Sequence, residues 1–322
     1  MHIVIPDDYQ DAVRHLKAFE KLKGHQVTVY NDTVKDVAAQ AERFKDADVL
    51  VLIRERSAIS AALLDKLPKL KLISQTGKVS SNLKVADCTA HGVAVAEGSG
   101  SPFSTAELTW ALVLASMRYI PQEVANMKAG GWQQTVGRQL KGRKLGVWAY
   151  GKIGKVVAGY GRAFGMDVWC WGREGSLAAA KADGFAAAPS REAFFAESDV
   201  VSMHVRLNPE TRGIVKPADL ALMKPDALFV NSSRAELVEH GALEAALAKG
   251  RPGFGAVDVY ESEPVLKADH PLLKLPNAVC TPHLGYVEQG NYELYFGTAL
   301  DNVVAFAEGK PTNIANPEVL KK

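Results

Sequence analysis

The sequence predicts an α/β fold in which a doubly wound parallel sheet forms one domain and a smaller α/β unit forms a second. Short apolar runs alternate with helical segments along nearly all of the 322 residues, which is the rhythm of parallel strands joined by helical crossovers. A chain of this length is also too long to fold around a single hydrophobic core, which favours two domains. Small and flexible residues between Glu97 and Pro102 interrupt the rhythm, and there we expect the first domain boundary.

The composition argues against several classes of function. The 38 Lys and Arg residues exceed the 36 Asp and Glu residues by two, so no basic surplus is available for nucleic acid. The first ten residues lack the basic region and long apolar core of a signal peptide, which predicts a cytoplasmic protein with no membrane partner. Cys88, Cys170 and Cys280 lie far apart and lack metal-ligand spacing, so we expect buried, reduced thiols and no metal site.

The first block predicts five strands and three helices, and another helix follows the boundary. The three helices are expected over residues 9–22, 34–44 and 60–67. Ser104 and Glu107 stand three positions apart before an apolar run, which predicts a capping box opening a helix over 108–117. The five strands are HIVIP, VTVY, DVLVLI, LKLISQ and VAVA.

The second block starts at residue 145 with an apolar run and a turn that contains glycines. This turn reads Ala149-Tyr150-Gly151-Lys152-Ile153-Gly154, a dinucleotide fingerprint with alanine at the first glycine position. Gly151 allows the backbone to approach a pyrophosphate at a helix start, and Gly154 allows the helix to pack on the strand. We therefore expect residues 150–154 to bind a dinucleotide. A glycine pair that serves helix packing alone is the alternative.

Polar residues end the later strands of this block. The predicted strands are MDVWCW, DVVSMHV, ALFVNSS, GFGAVDV and NAVCTPH, with helices over 191–196, 241–249 and 289–308. In a doubly wound sheet the ligand lies outside the carboxyl ends of the strands. The side chains expected to meet in that crevice are His204, Ser232, Ser233, Arg234, Asp258 and His283.

Three ordered segments carry a family resemblance. VNSSRAELV at 230–238, VDVYESEP at 257–264 and TPHLG at 281–285 resemble the D-2-hydroxyacid dehydrogenases, and the likeness extends over nearly the whole chain. It implies a Rossmann domain over 101–285 and a discontinuous, flavodoxin-like substrate domain from 1–100 and 286–322. It also implies a homodimer and hydride transfer between a nicotinamide cofactor and a 2-hydroxy or 2-oxo acid. Domain closure would then use hinges near 99–102 and 285–290.

The resemblance assigns the catalytic roles, and chemistry agrees with them. Arg234 would hold the substrate carboxylate through its fixed fork of donors. His283 would be the acid/base. Glu263 would bind its second ring nitrogen and stabilise its protonated form. Formate dehydrogenases of the same superfamily carry an amide in place of this glutamate, so Glu263 favours alcohol and carbonyl chemistry.

Several further residues are expected at the cofactor. His204 and Val205 would flank the adenosine side, although a hydrogen-bonded histidine at a strand end is an equal alternative, and Asp258 would accept from the nicotinamide carboxamide. The resemblance also assigns Asn208, Ser233 and Gly285 to the cofactor.

The choice of cofactor depends on the end of the next strand. The acidic residue that selects NAD is expected about 20 residues after the glycines, where this chain has Gly172 and Arg173. Arg173 can pair with a 2′-phosphate, so the sequence favours NADP(H). Glu174 lies one residue later, which keeps NAD open.

The substrate loop departs from its family. The usual A-G-x-G-x-D-N, whose main-chain N–H groups hold the substrate carboxylate, is replaced by Thr76-Gly77-Lys78-Val79-Ser80-Ser81-Asn82. Lys78 would point a cation at the substrate, as in phosphite dehydrogenases, so phosphite is one alternative substrate. Arg54 and Arg56 end a strand as in phosphoglycerate enzymes, where such arginines meet a phosphate, or else form a surface pair around Glu55. Tyr286 would narrow the pocket near the nicotinamide.

A rival of another class shares this fold. Nicotinamide-sensing corepressors carry a similar Arg-Glu-His set without being enzymes. Such proteins are expected to have disordered tails or peptide-binding extensions, and this sequence shows neither pattern. The enzyme is therefore the favoured interpretation.

Overall fold

A computed structural model describes residues 1–321 of the chain. The chain divides into two compact units: Met1–Ser101 with Glu288–Lys322 form the first, and Pro102–Val287 form the second. The boundaries predicted from the sequence, 1–100 with 286–322 and 101–285, differ from these by one and two residues.

The strands are short, and all except the two-residue strand at 186–187, which was not predicted, lie at the predicted apolar runs. In chain order they are β1 (His2–Ile5), β2 (Gln26–Val29), β3 (Val49–Leu52), β4 (Leu72–Gln75), β5 (Ala94–Ala96), β6 (Lys144–Trp148), β7 (Asp167–Trp171), β8 (Ala186–Ala187), β9 (Val200–Met203), β10 (Leu228–Asn231), β11 (Phe254–Val257) and β12 (Ala278–Cys280).

The α-helices connect these strands. They are α1 (Val37–Phe44), α2 (Ala61–Leu64), α3 (Val85–Ala90), α4 (Pro102–Met117), α5 (Ile120–Lys128), α6 (Lys152–Ala163), α7 (Glu174–Ala182), α8 (Arg191–Glu197), α9 (Pro217–Leu222), α10 (Ala242–Ala248) and α11 (Gln289–Ala307). Within residues 1–321 none of them has both the length and the apolar character that crossing a membrane requires.

The first unit contains a five-stranded parallel sheet in the order β2-β1-β3-β4-β5. All residues of β3 and β4 are buried, as expected for strands covered by helices on both faces. The last helix, α11, packs on β4, where Ser74 Oγ donates to Ala299 O at 2.8 Å. The C-terminal segment is therefore part of the core of this unit.

The helix predicted over 9–22 is wrong, because two short 3₁₀ turns occupy that stretch. They cover Val13–His15 and Lys17–Leu22, with Leu16 extended between them. The Asp8 carboxylate accepts from the N–H groups of Ala12 and Val13 at 3.1 and 2.9 Å, and the carboxylate of Glu293 in α11 accepts those of Lys17 and Ala18. Each turn thus has its own capping carboxylate, which apolar spacing does not reveal.

The second unit contains a seven-stranded parallel sheet in the order β12-β11-β10-β9-β6-β7-β8. The chain runs outward from β6 through β7 to β8 on one side and through β9 to β12 on the other. The topological switch point therefore lies between β6 and β9, and the carboxyl ends of these strands are the expected ligand-binding edge.

The capping box predicted at Ser104 is also wrong. Helix α4 begins at Pro102, because proline is preorganised for the first helical position and has no N–H to leave unsatisfied. Ser104 consequently lies inside the first turn, where its hydroxyl donates to Gly285 O at 2.8 Å. Thr105 Oγ1 donates to the same carbonyl at 3.0 Å, so the start of α4 supports the segment that follows β12.

Candidate active site

The glycine turn after β6 adopts a backbone suited to phosphate binding. Ala149 has φ +75, the left-handed conformation that glycine adopts without strain, at the position where the fingerprint has its first glycine. A Cβ on Gly154 would lie 2.2 Å from Ala149 O, so only glycine lets helix and strand approach this closely. A Cβ on Gly151 would meet nothing within 4 Å. The first N–H groups of the 12-residue helix α6 thus begin beside open space.

Tyr150 is fixed by contacts beneath this turn. Its main-chain N–H donates to Ser176 Oγ at 2.7 Å, and its buried phenol donates to Asp183 Oδ2 at 2.8 Å. Lys155 Nζ lies 2.8 Å from the same carboxylate oxygen. The Tyr150 side chain therefore helps to hold the turn, and the open space within the predicted cofactor segment lies at Gly151.

The end of β7 carries no acidic side chain at the predicted place. Gly172 has φ +154, and Glu174 already begins α7. Arg173 is exposed and its Nη2 lies 3.4 Å from Glu210 Oε2. Glu210 belongs to a turn in which Asn208 Oδ1 accepts from the N–H groups of Glu210 and Thr211 at 3.0 and 2.9 Å. The Asn208 amide oxygen is thus engaged within its own turn.

His204 follows β9 and lies next to the glycine turn. Its main-chain N–H donates to Trp148 O at 2.9 Å, and its Nε2 lies 2.9 Å from Ser202 Oγ. Burial lowers the pKa of His204 to about 4, so the ring is neutral near pH 7. These contacts favour the alternative of a hydrogen-bonded histidine at a strand end, with Val205 continuing from it.

The predicted acid/base pair is formed after β11 and β12. His283 Nδ1 lies 2.5 Å from Glu263 Oε2, and Glu263 Oε1 accepts from Tyr260 N at 2.9 Å. The carboxylate is therefore anchored by its own loop and accepts from one ring nitrogen of the histidine. His283 has φ +52, a strained conformation of the kind found at functional sites. The ring of Tyr286 meets that of His283 edge to face, with centroids 5.4 Å apart.

Arg234 follows β10, the strand beside β11. Asn231 Nδ2 donates to Arg234 O at 2.9 Å, and Asn231 Oδ1 accepts from Ser233 N at 3.0 Å. Ser233 Oγ donates to Met203 O at 2.7 Å. The buried Asn231 amide thus fixes the turn that presents Arg234. This positioning role was not predicted from the sequence, although a polar residue at the end of a buried strand indicates one.

Asp258 organises the loop that carries His283. Its fully buried carboxylate accepts from Thr281 Oγ1 at 2.6 Å, Leu284 N at 2.7 Å and Gly285 N at 2.8 Å. Burial raises the pKa of Asp258, against the lowering effect of these donors. Asp258 was predicted to accept from the cofactor. In the structure its oxygens accept from residues that precede and follow His283 in the sequence, so Asp258 holds the loop on which His283 lies.

The first unit contains the residues predicted to bind substrate. Arg54 has φ +52, and its guanidinium donates to Thr76 O at 3.3 Å. Arg56 donates to Asp7 O at 2.6 Å and to Tyr292 Oη at 3.2 Å. Both guanidinium groups therefore contact buried residues of this unit, and Arg54 Nη2 also lies 3.6 Å from Glu55 Oε1, the residue that the two arginines flank.

The loop after β4 contains an ion pair that the sequence analysis did not predict. Lys78 Nζ lies 2.7 Å from Glu97 Oε2, and Val79 N donates to Glu97 Oε1 at 2.9 Å. Gly77 has φ +93, and a Cβ there would lie 2.1 Å from Arg54 Nη1. Lys78 was predicted to point at the substrate, and in the structure its exposed ammonium contacts Glu97. Lys78 follows β4 and Glu97 follows β5, so the order of strands in the sheet indicates that the two residues can meet.

One mixed group of acidic side chains and a histidine lies elsewhere in the second unit. Atoms of Glu244, Glu261 and His270 that could ligate a metal lie within 4.8 Å of one another. His270 Nδ1 accepts from Leu272 N at 3.3 Å, which leaves the ring proton on Nε2, 3.2 Å from Glu261 Oε2. This arrangement caps the 3₁₀ turn Pro271–Lys274 and does not favour a metal on Nε2.

The three cysteines form no disulfide. All three are free thiols; Cys88 and Cys170 are buried and Cys280 is half-buried. Burial raises the pKa of Cys170 to about 12, so this thiol is not a nucleophile at neutral pH.

The predicted residues of the second unit share one sheet edge. Arg173 follows β7, the glycine turn follows β6 and His204 follows β9; Arg234 follows β10, Asp258 and Glu263 follow β11, and His283 follows β12. These six strands are consecutive in the sheet. The carboxyl ends of parallel strands lie at one edge, so the edge combines a helix start, an arginine and a histidine–carboxylate pair.

This chain is similar to known proteins. Residues 110–285 match the family model of the D-isomer specific 2-hydroxyacid dehydrogenase, NAD binding domain. A glyoxylate reductase from Aeropyrum pernix is 35% identical over 289 residues, which are 86% of this chain and 85% of that protein. A D-3-phosphoglycerate dehydrogenase from Methanocaldococcus jannaschii is 37% identical over 247 residues, which are 76% of this chain and 47% of that protein.

A solved structure extends the likeness to the whole fold. The phosphoglycerate oxidoreductase from Vibrio cholerae superposes with a TM-score of 0.94 at 53% identity, covering 96% of this chain and 99% of that one. The α/β fold class and the family resemblance predicted from the sequence are confirmed. This chain belongs to the D-isomer-specific 2-hydroxyacid dehydrogenase family.

Proposed function

We propose that the protein is an NAD(P)-dependent D-2-hydroxyacid dehydrogenase, which reduces a small 2-oxo acid or oxidises the corresponding D-2-hydroxy acid. The observation that carries the proposal is the 2.5 Å contact between His283 Nδ1 and Glu263 Oε2. These residues follow β11 and β12, and Arg234 follows the neighbouring strand β10. An acid/base held by a carboxylate near a fixed cation meets the main needs of this reaction.

Each of the three side chains has one role. Glu263 accepts a hydrogen bond from Nδ1–H of His283 and thereby fixes the tautomer of the ring. His283 Nε2 donates a proton to the carbonyl oxygen during reduction and accepts the hydroxyl proton during oxidation. Arg234 offers a planar pair of donors to the carboxylate of the substrate. The product of reduction then has one added hydride and one added proton, as the reaction requires.

The second unit suits the cofactor that its family binds. Open space at Gly151 and the tight approach at Gly154 fit a pyrophosphate above the start of α6. The bound nicotinamide would supply or accept the hydride at C2 of the substrate. The residues that we assign to the cofactor site are Tyr150, Gly151, Lys152, Ile153, Gly154, Arg173, His204, Val205, Asn208, Ser233, Asp258 and Gly285. Of these, His204, Asn208 and Asp258 already have hydrogen-bond partners within the second unit, so we assign them to the lining of the site.

NADP(H) is the favoured form of this cofactor. A carboxylate after β7 would repel a 2′-phosphate, and Gly172 stands at that place. Arg173 could bind the phosphate in place of Glu210. Its present contact with Glu210 joins two exposed side chains and is therefore weak. NAD stays open because Glu174 is adjacent in sequence.

The remaining assignments are also proposals. In the first unit we assign Arg54, Arg56, Gly77, Lys78 and Val79 to the substrate, and we expect a cytoplasmic enzyme. A homodimer agrees with the exposed apolar side chains of Met127, Trp132 and Val136 in the second unit, which are 65%, 71% and 90% exposed.

A matrix of cofactors and substrates tests the function. The purified chain is assayed with NADH and NADPH against glyoxylate, hydroxypyruvate, phosphohydroxypyruvate and, in the oxidative direction, phosphite. We expect turnover of 2-oxo acids and a fall of about a thousandfold in kcat for His283→Ala. Turnover of phosphite alone would indicate the oxyanion alternative. Tight cofactor binding without any turnover would indicate a sensor, and unchanged kcat in His283→Ala would exclude the acid/base role.

A further inference from the structure

The loop after β4 already binds a carboxylate, and that carboxylate belongs to the chain itself. Glu97 Oε1 accepts from Val79 N at 2.9 Å, while Glu97 Oε2 lies 2.7 Å from Lys78 Nζ. One side chain thus satisfies a main-chain donor and a cation of the same loop. The contacts show which ligand chemistry the loop recognises, namely a carboxylate held by an N–H group and an ammonium.

The backbone of Glu97 is held firmly against this loop. Glu97 N donates to Asn313 O at 2.9 Å, and Glu97 O accepts from Nδ2 of the buried Asn302 at 3.1 Å. The next residue, Gly98, donates to Gly77 O at 2.7 Å. A Cβ on Gly98 would lie 2.6 Å from Gly77 N. The carboxylate therefore starts from a fixed point beside the loop.

The exposure of the ion pair is uneven. The Lys78 side chain is 74% exposed and the Glu97 side chain is 24% exposed. Attraction within the pair is consequently weak, but the negative charge remains close to Val79 N–H, where it repels any second anion. Arg56, one of the two arginines predicted to meet a substrate phosphate, contacts Asp7 O and Tyr292 Oη.

We propose that Glu97 is a specificity-determining residue that favours 2-oxo acids with one negative charge over those with a second anionic group. Glu97 competes with a substrate anion for Val79 N–H and cancels the charge of Lys78. Coulomb energy is proportional to the charge of the ligand. The repulsion between Glu97 and the substrate therefore increases with every further anionic group of the substrate. The inference rests on the proposed function and identifies its substrate class as small monoanionic 2-oxo acids.

The test compares the wild type with Glu97→Gln. Glutamine retains an oxygen for Val79 N–H and removes the charge. Values of kcat/KM are measured with the monoanions glyoxylate and hydroxypyruvate and with oxaloacetate and phosphohydroxypyruvate, which carry further negative charge. We expect the wild type to prefer the monoanions. In the variant, the ratio of the more highly charged substrates to the monoanions should rise about tenfold, mainly through KM, with a smaller change at high salt.

Two further variants control for net charge and for loop distortion. Asp46→Asn removes the same charge from an exposed pair in the first unit, where Asp46 Oδ1 lies 2.7 Å from Lys69 Nζ, and should leave the ratio unchanged. Lys78→Gln combined with Glu97→Gln makes the pair neutral again and should restore the wild-type ratio. Melting temperatures establish that each variant is folded.

The outcomes separate this inference from the function on which it rests. Turnover of 2-oxo acids with an unchanged ratio in Glu97→Gln would overturn the role of Glu97 and leave the enzyme assignment intact. A wild type that prefers the more highly charged substrates would do the same. Failure of the wild type to turn over any 2-oxo acid would overturn the proposed function, and this inference with it.

Discussion

Two turns that follow parallel strands treat an anion differently. After β6, Ala149 has φ +75 and the space at Gly151 is open. After β4, Gly77 has φ +93, but Val79 N–H already donates to Glu97. Both turns thus include a residue with positive φ, and the side chains around them decide whether an external anion finds a donor. Backbone geometry identifies candidate anion sites, and neighbouring carboxylates decide which of them is accessible.

A side chain at Gly154, where α6 packs closely on the turn after β6, should have the largest effect on stability and cofactor binding. In Gly154→Ala the added Cβ would lie 2.2 Å from Ala149 O, so strand, turn or helix must move. We expect a loss of about 3 kcal/mol in the free energy of unfolding and weaker binding of NADH and NADPH. Urea unfolding and cofactor titration by fluorescence measure the two effects.

Gly159→Ala is the matched control in the same helix. A Cβ there would meet nothing within 4 Å, so the variant should gain up to about 1 kcal/mol from helix propensity alone. Equal effects of the two substitutions would show that close packing at Gly154 does not shape the turn.

An intermediate effect is expected at His204, which adjoins the open turn. Its pKa in the folded protein is about 4, lowered by burial from the ordinary value of 6.5. As the pH falls, His204 is protonated in the unfolded chain before it is protonated in the folded protein. The stability that the protein has with neutral His204 is therefore fully present above about pH 6.5 and is lost progressively toward pH 4. Between about pH 7 and pH 5 the loss is roughly 2 kcal/mol.

His204→Gln removes this titration and should flatten the acid side of the stability profile, measured by urea unfolding at each pH. His240→Gln, at a side chain that is 90% exposed, should leave the slope of that profile as in the wild type. Parallel profiles for the wild type and His204→Gln would contradict the buried, neutral state of this ring.

The smallest effect concerns the alanine that replaces the first glycine of the fingerprint. Ala149→Gly relieves the cost of φ +75 and adds freedom to the unfolded chain, so we expect a net gain of about 0.5 kcal/mol. Ala179→Gly within α7 should instead cost about 1 kcal/mol. Thermal unfolding measures both, and a loss in Ala149→Gly would show that the methyl group contributes packing energy exceeding the strain.

The strands were predictable because buried parallel strands are continuous apolar runs. Each run that ends in polar residues also indicated a position at the ligand-binding edge, where Arg234 and His283 were expected; their catalytic roles were implied by the family resemblance. The 3₁₀ turns within 9–22 were missed, because one of their capping carboxylates is Glu293, far away in the sequence. Local periodicity carries no information about such a partner.

The ion pair at Lys78 was missed for a related reason. Lys78 and Glu97 follow neighbouring strands, and only the sheet order shows that they meet. Asp258 illustrates a further limit. A polar residue at a strand end predicts importance, but the pattern does not distinguish a group that contacts a ligand from one that holds the loop carrying the acid/base.

The position of α11 in the first unit also affects the order of events during synthesis. This helix supplies Glu293 to the turn at Lys17–Leu22 and packs over β4. The sheet of the first unit therefore cannot complete its core until α11, which follows the second unit in the sequence, has been synthesised. The second unit, Pro102–Val287, is translated without such an interruption. Vectorial folding should therefore proceed from the middle outward, with the earliest-made strands the last to complete their core.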